Sequence, residues 1–259
     1  LRNSSAASDV YKRQIGGKML KVKALLFDVF GTVVDWRTGI AREVESVAKK
    51  NDISLDPFDF ADAWRAEYQP AMEEIRKGRR SFTILDILHM ENLKKIASKF
   101  NLHDLSDEDF KMLVKAWHRL PGWPDSSEGL NALKNKYILA TQSNGNIALI
   151  VNMAKFSNLN WDVILGAEVI GYYKPEPEAY LKACSALDLK TEECLMVAAH
   201  DDDLKAASLQ GMKTAYVHRP FEYGRDKLFD IAEVNDYKGD RKWDIVSRDL
   251  NDLAKQLGC

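Results

Sequence analysis

K-V-K-A-L-L-F-D-V-F-G, residues 21–31, is the stretch whose reading decides the fold. A short apolar run closes on Asp28 and Gly31, the pattern of a strand buried on both faces that runs into a loop. K-Y-I-L-A-T-Q-S-N-G (136–145) repeats it and ends on Ser143, Asn144 and Gly145. E-C-L-M-V-A-A-H-D-D-D (193–203) repeats it again, ending on His200 and three aspartates, and K-T-A-Y-V-H-R-P (213–220) is a fourth strand stopped by Pro220. Helical segments are expected between them at 128–136, 147–156, 175–187 and 203–210, the last closed by Gly211 at a C′ position. Strand, loop and helix in series describe a parallel sheet with helices on both faces, so the fold class is α/β with a Rossmann-like core.

Residues 38–117 break the alternation and read as helical throughout. Asp56-Pro57 gives an N-cap followed by Pro at N1. Phe60, Trp64, Ala71 and Ile75 recur at helical intervals, and Pro70 is expected to kink or interrupt that helix. The block is therefore an inserted helical cap over the strand ends, and residues 19–37 and 118–259 form the core. Residues 1–18, L-R-N-S-S-A-A-S-D-V-Y-K-R-Q-I-G-G-K, show neither a strand nor a helix period. They read as a disordered, non-native leader, with Met19 as the natural start.

Composition narrows the function classes. In 259 residues, Lys+Arg 37 against Asp+Glu 39 gives a net charge of −2, so no global basic field recommends nucleic acid or an anionic membrane as partner. No apolar run approaches the roughly 20 residues that span a bilayer. Cys184, Cys194 and Cys259 are odd in number and lack CxxC spacing. That argues against a disulfide framework or a zinc ribbon and for a reducing, cytoplasmic setting.

In open α/β sheets, ligands bind outside the carboxyl ends of the strands. Here that rule collects Asp28 and Thr32 after the first strand, Ser143 and Asn144 after the second, then Lys174, then His200 to Asp203. Any one polar residue at a strand end is ordinary. Four clusters of complementary chemistry are not.

D-V-F-G-T from Asp28, S-N-G from Ser143, Y-K-P-E-P-E-A-Y from Tyr173 and A-A-H-D-D-D-L from Ala198 resemble the four motifs of the haloacid dehalogenase superfamily. The details are most similar to those of its type II L-2-haloacid dehalogenases. Most superfamily members are phosphatases and need a second Asp two residues after the nucleophile, to protonate an alkoxide leaving group. This chain has Phe30 there. The position four residues before Asp203, where phosphatases place a metal-binding Asp, is Ala199. Both departures weaken Mg²⁺ binding and phosphoryl transfer, and a departing halide needs no proton.

The resemblance implies a metal-free reaction with no cofactor, in which short (S)-2-haloacids and water yield (R)-2-hydroxyacids and halide. Asp28 is the implied nucleophile and forms an aspartyl ester. Lys174 fixes its orientation and charge, Asp203 activates the hydrolytic water, and Thr32 and Ser143 hydrogen-bond the carboxylate. Arg65, in W-R-A-E-Y, and Asn144 are the implied donors to the substrate carboxylate and halide. Phe30 lines the site. Tyr180 matches a family site tyrosine, although on an amphipathic helix it reads equally as core. His200 stands where the best-known type II pattern has Asn; it reads either as a partner for hydrolytic water or as scaffold. Asp201 and Asp202 are expected to be solvated or helix-capping acids. Arg76, Arg79 and Arg80 read as surface arginines. His89, His103 and His118 show no metal spacing, Trp36 and Trp123 are candidates for the mouth, and F-E-Y-G (221–224) for a loop near the entrance. The family is often homodimeric. The alternatives are a Mg²⁺-dependent small-metabolite phosphatase and a non-catalytic member.

Overall fold

The computed structural model describes residues 20–224, 238 and 241–259, so the leader reading of residues 1–18 and Met19 falls outside the described residues. The six strands are β1 (Ala24–Phe27), β2 (Ile138–Gln142), β3 (Val163–Leu165), β4 (Cys194–Ala198), β5 (Lys213–Val217) and β6 (Ile245–Ser247). They form one sheet in the order β3-β2-β1-β4-β5-β6, parallel at every pairing. β1 lies inside the sheet, and all four of its residues are fully buried. Leu25 and Phe27 face one apolar cluster while Ala24 and Leu26 face another. This two-sided burial is why β1 reads as a continuous apolar run rather than as an alternation.

Phe27 is in register with Thr141 on β2 and Val197 on β4. Asp28, Ser143 and His200 therefore leave the sheet at one edge. The chain moves outward on one side through β2 and β3, then crosses β1 to resume at β4. That reversal opens the crevice that α/β sheets use for ligands.

Helices α1 (Trp36–Lys50), α2 (Pro57–Ala66), α3 (Tyr68–Arg76), α4 (Leu85–Ile96) and α5 (Asp107–Val114) fill the interval between β1 and β2, followed there by α6 (Ser126–Lys134). Asp56 caps α2 as expected, its Oδ1 accepting from Phe58 N at 2.8 Å and Asp59 N at 2.9 Å. The interruption expected at Pro70 falls instead at Glu67, between α2 and α3. Pro70 then occupies the first turn of the new helix, where its missing N–H costs nothing. Trp64, Trp117, Phe60 and Phe100 pack edge to face in this interval. His89 stacks on Trp117 with centroids 4.3 Å apart, and burial holds its pKa down to about 3. It is a neutral core aromatic. His118 is also buried, with Nε2 2.8 Å from Asp86 Oδ1 and Nδ1 2.9 Å from the Asn152 amide.

Beyond β2 come α7 (Ile147–Phe156), α8 (Ala167–Ile170), α9 (Pro177–Ala186), α10 (Asp201–Leu209) and α11 (Leu250–Gln256). Gly211 follows α10 with φ +85°, a conformation that favours glycine, as its expected C′ position requires. Cys184 and Cys194 are buried and unoxidised. No helix among the described residues is long and apolar enough to cross a membrane.

Candidate active site

Immediately after β1 the chain turns tightly, Val33 N donating to Val29 O at 2.9 Å and Gly31 N to Val34 O at 3.0 Å. The turn brings Thr32 back over Asp28, so that Thr32 Oγ1 donates to Asp28 Oδ2 at 2.7 Å. The same hydroxyl accepts from Ala199 N at 2.9 Å, which ties the β1 loop to the β4 loop. Lys174, on the loop before α9, donates from Nζ to Asp28 Oδ1 at 2.9 Å and also bonds Asp203 Oδ2. His200 Nδ1 lies 3.2 Å from Asp28 Oδ2. One buried carboxylate is thus held by a hydroxyl, an ammonium and an imidazole.

The electrostatics follow from that geometry. Burial would raise the Asp28 carboxyl, but the Lys174 charge, the His200 contact and the Thr32 hydroxyl outweigh it and hold the group well below the usual carboxylate range. Burial would lower Lys174, and the two flanking carboxylates raise it above its ordinary value instead. Asp203 is pushed up by burial and by the Asp28 charge, against the pull of Lys174. Two acids sharing one ammonium split in acidity, and Asp28 is the more acidic of the pair.

These groups form one end of a cavity of about 790 Å³ whose lining includes Asp28, Phe30, Arg65, Asn144, Lys174 and Tyr180. Arg65 reaches in from α2 with its guanidinium 4.0 Å from the Tyr68 ring centroid, 5.4 Å from Trp36 and 5.8 Å from Phe30. Its Nη1 is buried without a hydrogen-bond partner among the described residues. A buried cationic N–H left open this way invites an anion. Asn144 Oδ1 accepts from Lys174 N at 2.8 Å, which leaves its amide donors for the cavity side. Tyr180, fully buried, donates to Asp203 Oδ1 at 2.6 Å.

Other expected groups are placed differently. Ser143 Oγ turns to its own loop and accepts from Gly145 N at 3.1 Å, away from the Asp28 bonding the motif suggests. Both oxygens of Asp203 are engaged, by Lys174 and Tyr180. Trp36 is buried rather than at the mouth, and Trp123 lines a separate depression with Asp35 and Phe58. Arg76 is no plain surface arginine. It lines the cavity and donates to Lys174 O at 3.1 Å, whereas Arg79 and Arg80 pair with Glu74 and Glu91. Asp201 pairs with Arg241, and Asp202 lines the cavity in the first turn of α10.

The functional-looking residue that the motifs did not flag is Glu222, within the F-E-Y-G run. It is buried and bonds His200 Nε2 through both oxygens, at 3.0 and 2.9 Å. The strand-end rule applied to β5 (Lys213–Val217) points to the loop that follows it, but does not single out Glu222 there. Its neighbour Tyr223 lines the cavity. Among the described residues, no group of three or more His, Cys, Asp or Glu side chains is arranged to hold a metal ion.

A family model described as haloacid dehalogenase-like hydrolase matches residues 22–211. The chain is similar to the crystal structure of the defluorinating L-2-haloacid dehalogenase Rha0230, with 44% identity, a TM-score of 0.86, and cover of 92% of this chain and 96% of that one. It is 27% identical over 224 residues to (S)-2-haloacid dehalogenase 1 of Pseudomonas sp. (strain CBS-3), spanning 82% of this chain and 95% of that protein. It is also 28% identical over 230 residues to a phosphoglycolate phosphatase of Aquifex aeolicus (strain VF5), spanning 87% of this chain and 95% of that protein.

Proposed function

The chain belongs to the haloacid dehalogenase-like hydrolases, and from that membership and the site geometry we propose that it hydrolyses the carbon–halide bond of short (S)-2-haloacids to (R)-2-hydroxyacids. The observation that carries the reading is the Asp28 carboxylate, held anionic by Lys174 at 2.9 Å, with Phe30 rather than an acid on the cavity wall beside it. Asp28 attacks the halogen-bearing carbon from behind, inverting it, and halide leaves without acid assistance. Burial strips water from the nucleophile, and Lys174 and Thr32 fix its direction. Arg65 takes the substrate carboxylate with its open Nη1, Asn144 adds an amide donor, and Phe30 and Tyr180 close the sides. We assign residues 38–117, within the interval between β1 and β2, to a cap and the sheet to a core that includes the Ser126–Lys134 helix, with the reaction in the crevice between the two.

Two results are expected from this assignment. Halide is released from (S)-2-chloropropionate in the presence of EDTA, with little from the R enantiomer. Metal-dependent release of phosphate from small phosphate esters, with no halide from any chloro-, bromo- or fluoroacid in either enantiomer, would establish the phosphatase reading in its place. Arg65→Ala lowers kcat/KM for the haloacid by about 10²–10³-fold, the scale on which one preorganised charged donor acts. Arg79→Ala, which removes only the exposed pair with Glu74, leaves kcat/KM within a factor of two or so of wild type. Equal losses in the two variants would remove Arg65 from the site.

A further inference from the structure

Cleavage of an aspartyl ester needs a group that takes a proton from water. Asp203 has one oxygen on Lys174 and the other on Tyr180 Oη at 2.6 Å, so neither is turned to a water at Asp28. A second acceptor stands on the opposite side of the nucleophile. His200, at the N-cap of α10, directs Nδ1 to Asp28 and Nε2 to Glu222. Glu222 is itself held by Trp36, whose Nε1 donates to Oε1 at 3.0 Å. The loop after β1 is shaped to admit it: Gly31 has φ +85°, and a Cβ there would lie 2.1 Å from Glu222 Oε1. A glycine in the turn that carries the nucleophile thus leaves room for a carboxylate from the β5 loop.

We propose that His200 and Glu222 work as a pair in the second half of the reaction, His200 Nδ1 taking the proton of the water that cleaves the Asp28 ester and Glu222 acting as the positioning residue. The proposal rests on the dehalogenase reading above. Alkylation converts Asp28 from an anion to a neutral ester and sends the electron pair of the carbon–halogen bond away with halide. The imidazole has then lost the charge facing Nδ1, so it gives up that proton to solvent and keeps Nε2–H on Glu222. Water adds to Asp28 Cγ, and the tetrahedral adduct collapses by breaking the bond from Cγ to the alkyl oxygen. Of the two water protons, one ends on the product hydroxyl and the other on Nδ1. Asp28 is again a carboxylate beside an imidazolium, and haloacid plus water has become hydroxyacid, halide and a proton.

The resting contacts agree with the last state of that cycle. Burial works against a charged His200, and the bonds to Asp28 and Glu222 overcome it, raising the imidazole well above its ordinary value. The titratable and charged groups around it are Asp28 on the β1 loop, Glu222 on the β5 loop, Asp202 and Asp203 on its own helix, Lys174 beyond Asp28, and Arg65 and the neutral phenol of Tyr223 across the cavity.

The test separates the two chemical steps. Enzyme is mixed with (S)-2-chloropropionate, quenched in the millisecond range, and read for halide and for the intact mass of the protein. Glu222→Gln is expected to release about one equivalent of halide per enzyme at close to the wild-type rate, and His200→Asn the same amount more slowly, since it also loses a contact that holds Asp28. They then stall with an added substrate mass on the Asp28 peptide, and their steady-state rate falls on the order of 10²-fold. In single turnovers of wild type, ester breakdown slows at low pH as His200 protonates. In Glu222→Gln that limb moves to lower pH, because the carboxylate that favours the protonated ring is gone. Turnover at the wild-type rate, or loss of burst and steady state together with no adduct, overturns the pairing. If Glu222→Gln fails to fold, the presence or absence of adduct in His200→Asn decides. A wild-type protein that releases no halide is a different failure, that of the dehalogenase reading itself.

Discussion

Asp28→Asn abolishes halide release, by 10³-fold or more on the scale of other lost nucleophiles, and leaves the protein folded. The neutral amide oxygen is a far weaker nucleophile than a carboxylate and would give a cationic imidate in place of an ester, and no neighbour replaces it. The other buried acids at the site are engaged elsewhere, Asp203 with Lys174 and Tyr180 and Glu222 with His200 and Trp36. The fold survives because Lys174 keeps Asp203 and His200 keeps Glu222 when the Asp28 charge is removed. One buried donor faces the new amide nitrogen instead of an oxygen, a cost of about 1–3 kcal/mol. The linkage has a definite sign. A carboxyl held below its unfolded value contributes stability above about pH 4 and loses it as the pH falls through the folded value. Wild type and variant therefore differ in denaturation midpoint at pH 7 and converge in strong acid. A companion single turnover in water labelled with heavy oxygen places the label in the Asp28 side chain of wild type. Label passing directly into the hydroxyacid would mean that water, and not Asp28, attacks the substrate.

Most of this site was legible in the sequence because of how a parallel sheet is written. β1, β2, β4 and β5 are buried runs of four or five residues that end in polar clusters, and those clusters meet in space because the strands are in register. β3 and β6, with three residues each, are too short to show a period in the sequence. The sequence points to Pro70 while the break lies three residues before it, at Glu67, because proline announces itself in a sequence and a helix end without a side-chain cap does not. At the site, Asp28, Thr32, Lys174 and Asp203 could be read because they share one strand edge and a known pattern. Arg76 could not, since its role depends on a bond across the crevice to Lys174 O. Glu222 is a lone acid in a loop; only the three-dimensional approach of the β5 loop to Gly31 and Trp36 gives it meaning.

A second large effect is expected at the ammonium the two acids share. Lys174→Met removes the only cation bonded to both Asp28 and Asp203 among the described residues, and all three side chains are about nine-tenths buried. Two carboxylates in a shared, dry site cannot both stay ionised without it. Asp28 keeps Thr32 and His200, but its Oδ1 is no longer aimed, and its pKa rises. Halide release falls by about 10²–10³-fold, and what remains moves to higher pH, where Asp28 is ionised. Stability falls too, by about 3–5 kcal/mol, since a broken buried pair leaves charge with no partner. The contribution of a lysine raised above its unfolded pKa is fully present below that value, so the loss appears throughout the neutral range. It shrinks in acid, where protonation of Asp28 and Asp203 removes the repulsion. Lys49→Met is the comparison, because Lys49 pairs with Glu45 at 2.9 Å on the exposed face of α1 and such pairs contribute about 0–1 kcal/mol. Urea midpoints at pH 7 and pH 4, measured beside halide release, read both effects. A Lys174→Met protein no less stable than Lys49→Met and still releasing halide would show that Asp28 is oriented without the ammonium.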